Sequence, residues 1–173
     1  MILKIVNSCV IVLTSTLIGF EAAKRYVMRA RELRAFQSAL SRLETEILHY
    51  SSLLPEAMLQ IGGSIGGGTG KVFIRTGKLL AGKKNYSVSE AWSSSLQCLK
   101  GELFLEKEDV EILRRFGEQL GSSDKDGQVK YIRLTLMQLH EDEEKAQVIR
   151  EKYERMYKSL GLLGGIALAI ILF

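Results

Sequence analysis

The sequence contains little proline, cysteine or histidine. Its 173 residues include one proline, Pro55, two cysteines and two histidines. A single proline leaves room for long, uninterrupted helices. Cys9 lies in an apolar segment and Cys98 in a polar one, so we expect no disulfide between them, and unpaired cysteines suit a reducing compartment. The histidines, His49 and His140, lie far apart in the sequence, which argues against a metal centre.

A strong excess of one charge is also absent. The chain has 24 Lys and Arg residues against 20 Asp and Glu residues, a net charge of +4. Basic residues that stand beside apolar segments face lipid headgroups or follow the positive-inside rule more often than they bind nucleic acid. We therefore predict no nucleic-acid partner.

Long apolar runs occur only at the two ends of the chain. Residues 5–20 contain nothing more polar than Asn, Ser and Thr, and as a helix they span about 24 Å of the ~30 Å bilayer core. Residues 160–173 carry no charge. The alternatives are a cleaved signal peptide at the N-terminus, whose candidate sites place Phe20 or Glu21 at the −3 position, and a buried core helix at the C-terminus. We predict membrane helices over 1–20 and 159–173 and a soluble domain over 21–158.

Small residues recur every four positions in both apolar runs. They are Ser15, Gly19, Gly161, Gly165 and Ala169. This spacing lets membrane helices approach closely, although glycine is also common in such helices generally. It predicts a hairpin with Gly19 near Gly161.

Basic residues are concentrated on one side of the predicted membrane helices. After the first run they are Lys24, Arg25, Arg29, Arg31 and Arg34, and before the second run they are Lys145, Arg150, Lys152, Arg155 and Lys158. Only Lys4 lies on the other side. The positive-inside rule therefore predicts a cytoplasmic domain with both termini outside.

Heptad seams continue both membrane segments into the domain. The first includes Leu33, Phe36, Leu40, Leu43 and Ile47, and the second includes Val129, Ile132, Leu136, Leu139 and Ala146. Arg29, Glu143 and Arg150 occupy seam positions. We expect the helices to curve so that these side chains reach water; the alternative is that they fix the register. We predict an all-α helical bundle whose two long antiparallel helices are continuous with the N- and C-terminal membrane helices.

Helix-capping patterns predict shorter helices between the long ones. Thr69 is expected to cap a helix that runs to about Leu80, and Ser87 with Glu90 forms a capping-box pattern. A further helix is predicted over 106–120, followed by Gly121 as its C′ residue. The last helix is expected to begin at Ser123 or Asp124. No segment alternates with the period of two that a strand requires.

The glycine-rich stretch 62–70, followed by Lys71, resembles a phosphate-binding loop. A Walker loop needs glycine four residues before its Gly-Lys pair and Ser or Thr after it, but Ile65 and Val72 stand there. We expect a flexible loop between helices. A nucleotide-hydrolysing enzyme that uses Lys71 is the alternative.

Other catalytic or metal-binding patterns are incomplete. Glu46 and His49 have the helical spacing of a di-iron ligand pair, but the matching position before His140 holds Met137. Cys98 has no basic activator nearby in the sequence. We predict no catalytic residue, no metal and no cofactor.

Several blocks of residues resemble the stage III sporulation protein AB family over nearly the whole chain. The most specific are Phe116-Gly117-Glu118-x-Leu120-Gly121 and Lys158-Ser159-Leu160-Gly161. Leu40…Leu43-Glu44-x-Glu46-Ile47, Ala91-Trp92…Leu96 and Gln128…Lys130…Ile132…Leu134 support them. The stretch 62–70 does not match.

The resemblance implies a non-enzymatic role in endospore formation. It implies a domain like that of the inner-membrane platform protein of type II secretion and type IV pilus machines, within the channel complex between mother cell and forespore. The implied partners are the ATPase stage III sporulation protein AA and other channel components. The implied location is the cell membrane of the mother cell and the outer forespore membrane. The protein would cross the membrane twice, with its domain in the mother-cell cytoplasm. A homo-oligomer is left open, and no catalytic residues are implied.

We expect the partner interface at the membrane-distal end of the domain and around residues 116–124, on the assumption that these residues are exposed. Its predicted residues are Phe116, Gly117, Glu118, Gly121 and Asp124. The arginines that follow the first membrane run either join this interface or serve topology and anionic headgroups. A lipid-binding membrane organiser is a further alternative.

Overall fold

The computed structural model describes residues 2–50, 53–82, 84–121 and 124–172, and these residues form six α-helices. The helices are α1 (Ile2–Thr45), α2 (Leu54–Ile65), α3 (Gly67–Ala81), α4 (Val88–Leu99), α5 (Lys107–Gln119) and α6 (Lys125–Leu172). A π-helical turn, Glu46–Tyr50, follows α1. No strand occurs within these ranges. The all-α prediction and the two long helices are confirmed.

The chain divides into two compact units, and both long helices contribute residues to each. The terminal unit comprises Met1–Ala30 with Glu144–Phe173, and the central unit comprises Arg31–Glu143. The described residues contain no helix that is long and apolar enough to cross a membrane. The membrane segments and their boundaries at 20 and 159 stay a prediction.

In the terminal unit, α1 and α6 pack antiparallel at close range. The Ser15 hydroxyl donates a hydrogen bond of 2.8 Å to the Gly161 carbonyl. Farther along α1 and farther back along α6, the rings of Tyr26 and Tyr153 stack with centroids 4.8 Å apart. Because the partners on α6 move backwards as α1 advances, the two helices run in opposite directions.

The same antiparallel pairing holds α1 to α6 in the central unit. Leu33, Phe36, Leu40 and Leu43 of α1 and Val129, Ile132 and Leu139 of α6 are buried. This burial confirms the two apolar seams. Gln37 donates to the Leu139 carbonyl at 3.3 Å, and Arg133 forms a 2.6 Å ion pair with Glu44.

Glu143 interrupts the apolar seam of α6 without reaching water. It is buried, and its carboxylate accepts a 2.6 Å charged hydrogen bond from the partly exposed Arg34. The expectation that helix curvature carries this side chain to solvent is therefore wrong. A buried carboxylate that is paired at one position of an apolar seam favours a single register of the two helices.

Trp92 on α4 is at the centre of the aromatic core of the central unit. Phe73 and Phe116 contact it edge-on, with ring centroids 5.2 Å and 5.3 Å away. Its indole N–H donates to the Leu113 carbonyl at 2.7 Å. Gly117 lies directly under the indole, where a β-carbon would collide with the ring. These contacts fix α3, α4 and α5 around one side chain.

The glycine-rich stretch is helical, so the prediction of a flexible loop was wrong. Residues 62–65 end α2 and residues 67–70 begin α3, with only Gly66 between the helices. A β-carbon on Gly62 would lie 2.7 Å from the Gly70 carbonyl oxygen. Glycine is needed here because the two helix backbones touch, and Gly66 and Gly67 have φ angles of 68° and 61° that other residues rarely adopt.

The predicted helix ends differ in how well they match the structure. Ser87 and Glu90 form the predicted capping box, and Gly121 follows α5 with a φ of 82°. Asp124 begins α6 by accepting a 3.0 Å hydrogen bond from the Gly127 amide, while Ser123 lies outside the described residues. Thr69 does not cap α3, because it lies inside the helix and its hydroxyl is buried without a hydrogen-bond partner among the described residues.

Candidate partner-binding surface

A groove lies between α5 and α6 on the surface of the central unit. Its volume is about 450 Å³. The side chains that line it are Glu111, Ile112, Arg114, Arg115, Phe116, Glu118 and Gln119 of α5 and Tyr131, Leu134, Thr135 and Gln138 of α6. Tyr131 and Leu134 are large and exposed although they belong to a well-packed helix. Exposed apolar side chains surrounded by polar ones are typical of a surface that a partner covers.

The charges along the α5 wall are fixed to one another. Arg114 forms ion pairs with Glu111, at 2.7 Å, and with Glu118. Arg115 lies 3.2 Å from the same Glu111 carboxylate. The hydrogen bonds from Arg114 and Arg115 hold the pKa of Glu111 at about 2, so this carboxylate stays ionised at neutral pH. Because the four charges cancel, the groove presents neither a cationic nor an anionic field.

The predicted interface residues do not form one exposed surface. Phe116 lines the groove but is only 2% exposed, and Gly117 is buried against Trp92. The exposure assumed for these two residues was wrong, because α5 turns this face towards the core. Glu118 lines the groove, and Gly121 and Asp124 are exposed beyond the end of α5. The interface itself stays a prediction.

The sequence pattern did not identify Tyr131 and Leu134 as members of this surface. A usable signal exists, since Tyr131, Leu134 and Met137 are apolar residues three apart that lie off the heptad seam of α6. An apolar stripe on the second face of an amphipathic helix indicates a second packing partner.

A buried carboxylate occupies the end of the glycine-rich stretch where a phosphate would bind. Glu32 of α1 accepts a 2.7 Å hydrogen bond from the Phe104 amide and another from the Thr69 amide in the first turn of α3. Gly68 leaves room for it, because a β-carbon there would collide with the carboxylate. Burial raises the pKa of Glu32, and the two amide hydrogen bonds offset part of that rise.

Lys71 is not directed at the same amides. It is exposed on α3 and forms an ion pair with Glu102. The geometry therefore differs from a phosphate loop at two points: the helix N-terminus already holds a protein carboxylate, and the lysine contacts another one.

The basic residues that follow the first apolar run have different surroundings. Lys24 pairs with Glu21 at 2.8 Å, and Arg34 pairs with the buried Glu143. Arg25 and Arg31 are exposed, and Arg29 is partly buried. Arg34 thus has a structural role in the central unit, which the sequence pattern did not indicate.

The small residues of the predicted hairpin lie where α1 and α6 meet. A β-carbon on Gly19 would stand 2.6 Å from the Tyr157 carbonyl oxygen and 3.2 Å from the Gly161 α-carbon. The structure therefore brings Gly19 and Gly161 together. Gly165 and Ala169 belong to α6, but their surroundings lie outside the described residues.

The metal and thiol candidates are dispersed within the described part of the chain. No group of three or more His, Cys, Asp or Glu residues there is arranged to hold a metal ion. Cys98 is an exposed free thiol.

Comparison with known proteins assigns the chain to a family. The family model of stage III sporulation protein AB matches residues 4–173. Stage III sporulation protein AB of Bacillus subtilis (strain 168) is 36% identical over 170 residues, which cover 98% of this chain and 99% of that protein. A solved structure of a stage III sporulation protein AB superposes with a TM-score of 0.68 at 32% identity and covers 72% of this chain and 98% of its own. The chain therefore belongs to the stage III sporulation protein AB family.

Proposed function

We propose that the protein is a non-enzymatic, two-pass membrane platform subunit of the channel complex that endospore formation requires. Its central unit binds the cytoplasmic ATPase of that complex, stage III sporulation protein AA, and its terminal unit contacts the membrane and other channel components. The central unit faces the mother-cell cytoplasm, and the two termini lie on the other side of the membrane. Membership of the family supports the sporulation role.

The groove between α5 and α6 is the observation that carries the partner-binding part of the proposal. Tyr131 and Leu134 expose apolar surface that the protein itself does not cover. Arg114 is held in place beside them by two carboxylates. Tyrosine and arginine are frequent energetic centres of protein interfaces, and an arginine that is already ordered loses little side-chain entropy when a partner binds.

Exposed apolar side chains of the terminal unit support the membrane part of the proposal. They are Val10, Leu13, Leu17, Ile18 and Phe20 on α1 and Leu160, Leu163 and Ile166 on α6. Contiguous apolar surface of this kind is rare on proteins that are surrounded by water. A bilayer is the environment in which such surface is stable.

The environment of the glycine-rich stretch supports the non-enzymatic part of the proposal over a nucleotide-hydrolysing enzyme. Glu32 already accepts the amide hydrogen bonds that a phosphate would need. A nucleotide would have to displace a buried carboxylate and would meet its negative charge.

Binding of the purified ATPase to the full-length protein in detergent tests the proposal. Leu134→Asp places a charge in the groove, and we expect the ATPase affinity to fall by about tenfold or more, since buried interface anchors contribute at least about 2 kcal/mol. Leu53→Asp is the control, because Leu53 is an exposed apolar residue of the central unit that lies outside the apolar stripe of α6 and does not line the groove. Equal affinity of the two variants would remove the groove from the interface.

A further inference from the structure

The excess positive charge of the protein is confined to the terminal unit. Residues 1–30 and 144–173 contain nine Lys and Arg residues and four Asp and Glu residues. Residues 31–143 contain fifteen basic and sixteen acidic residues. The central unit is therefore nearly neutral, and an anionic partner would be attracted to the terminal unit.

The positive charge begins where the exposed apolar surface ends, at the same level on both helices. On α1 the change occurs between Phe20 and Lys24, and on α6 between Leu160 and Lys158. The Lys158 ammonium lies 5.1 Å from the centre of the Phe20 ring. A lysine whose ammonium group lies over an aromatic ring at an apolar boundary resembles a side chain at a membrane–water interface.

Three stacked tyrosines occupy the next level of this helix pair. Tyr26 stacks on Tyr153 and on Tyr157, with centroids 4.8 Å and 6.2 Å away. From residue 20 to residue 26 an α-helix rises about 9 Å, which is close to the depth of one headgroup layer. Tyrosine is enriched in that layer because its ring is apolar and its hydroxyl is polar.

The carboxylates at this level neutralise some of the basic residues and leave others exposed. Glu21 pairs with Lys24. Glu154 pairs with Arg150 at 3.0 Å and with Lys158 at 2.6 Å, and these two bonds lower the pKa of Glu154.

Three exposed cations, Arg25, Lys152 and Arg155, show no ion pair within the described ranges. Since Tyr26 stands opposite Tyr153, all three lie at the level of the tyrosine stack. Glu151 is the exposed carboxylate beside them, so this level of the helix pair remains cationic.

We propose that Arg25, Lys152 and Arg155 bind the phosphate groups of anionic lipids in the cytoplasmic leaflet. The proposal rests on the membrane anchoring stated above and names the lipid that the anchor prefers. Arg31 and Arg34 follow the first apolar run, as Arg25 does, but they are not part of this site. They belong to the central unit, and Arg34 is already bound to Glu143.

Lipid binding to the full-length protein in neutral detergent, counted by native mass spectrometry, tests this site. We expect phosphatidylglycerol to bind more tightly than phosphatidylcholine. The triple variant Arg25→Gln, Lys152→Gln, Arg155→Gln is expected to lose about fivefold in phosphatidylglycerol affinity for each cation removed. The control triple variant Arg75→Gln, Lys84→Gln, Lys100→Gln makes the same change in net charge at exposed positions of the central unit, and we expect it to bind like the wild type. Equal affinity for the two lipids, or an equal loss in the control, would overturn the proposal.

Carbonate extraction of membranes that contain the wild-type protein separates this proposal from the one on which it rests. Retention of the protein without a preference for phosphatidylglycerol overturns the lipid site and leaves the anchor intact. Release of the protein into the carbonate supernatant overturns both.

Discussion

Glu32 ties three parts of the central unit together through one buried side chain. It projects from α1, and its oxygens accept hydrogen bonds from the first turn of α3 and from the segment that precedes α5. Both donors are backbone amides, and a backbone amide that is buried without an acceptor destabilises the folded state. This position therefore matters more to stability than its place on a long helix indicates.

Replacing Glu32 with alanine is expected to destabilise the central unit. Two amides lose their acceptor, and the free energy of unfolding should fall by about 2–4 kcal/mol. Urea unfolding of the full-length protein in detergent, followed by the fluorescence of the single tryptophan, Trp92, measures this change, because Trp92 lies in the core of the central unit. A loss below about 0.5 kcal/mol, typical of a neutral surface change, would show that these bonds contribute little.

Glu32→Gln is the matched control, because glutamine keeps an acceptor oxygen and cannot ionise. Burial raises the folded-state pKa of Glu32 above its ordinary value of 4.5. The folded protein therefore holds this proton more tightly than the unfolded chain does. The stability that this proton contributes is fully present below pH 4.5 and is lost as the pH rises through the raised pKa. We expect the stability of the wild type relative to Glu32→Gln to fall over that interval.

At the scale of elements, the corner between α2 and α3 depends on particular glycines. Gly62 and Gly70 face each other across the two helices with no room for a side chain, whereas Gly63 has nothing within 4 Å of the position that a β-carbon would take. Two adjacent glycines of one helix therefore differ: the helix contact requires glycine at position 62, whereas a side chain has room at position 63.

Alanine substitutions at these neighbouring positions are expected to act in opposite directions. Gly62→Ala places a methyl group against the Gly70 carbonyl and the Ile74 backbone, which should cost about 1–3 kcal/mol. Gly63→Ala adds only helix propensity and should stabilise by about 0.5–1 kcal/mol. Thermal unfolding followed by circular dichroism compares the two variants. If both variants stabilise the protein, the close approach of α2 and α3 is incorrect.

The sequence predicts the helices better than it predicts which side chains are buried and which residues they contact. The helices, the seams and the Ser87–Glu90 capping box follow from periodicity and local hydrogen bonding, which act within a few residues. The helical state of 62–70 does not follow, because glycine content alone does not distinguish a loop from a tight helix contact. The burial of Phe116 and the pairing of Glu143 depend on residues distant in sequence, so local patterns do not predict them.

At the scale of the whole molecule, the antiparallel pairing of the two chain ends is a feature that cross-linking can test. Gly19 cannot accept a cysteine without strain, because its β-carbon would meet the Tyr157 carbonyl. Ser15 and Gly164 are better placed, since a β-carbon on Gly164 would lie 3.9 Å from the Ser15 hydroxyl oxygen.

The double variant Ser15→Cys, Gly164→Cys is expected to form an intramolecular disulfide in membranes under mild oxidation. Cys9 and Cys98 are replaced by serine so that only the new pair reacts, and gel mobility before and after reduction measures the product. Leu17→Cys with Gly164→Cys is the control, because the Leu17 side chain is 67% exposed and should not pair within one chain. Equal cross-linking of the two pairs would contradict the packing of α1 on α6.

A platform subunit and a nucleotide-hydrolysing enzyme require different things of the molecule. The platform needs an uncovered partner surface, which the groove between α5 and α6 provides. The enzyme needs an open phosphate site, which Glu32 occupies. Lys71 separates the two accounts, because it is essential to the enzyme and is a surface residue in the platform.

The most direct test of the account is therefore equilibrium binding of ATP and of the companion ATPase to the same full-length protein, in its wild-type and Lys71→Ala forms. We predict a saturable complex with the ATPase that Lys71→Ala leaves unchanged, and no saturable binding of ATP by either form alone. ATP binding by the wild type that Lys71→Ala abolishes, together with no complex with the ATPase, would contradict it.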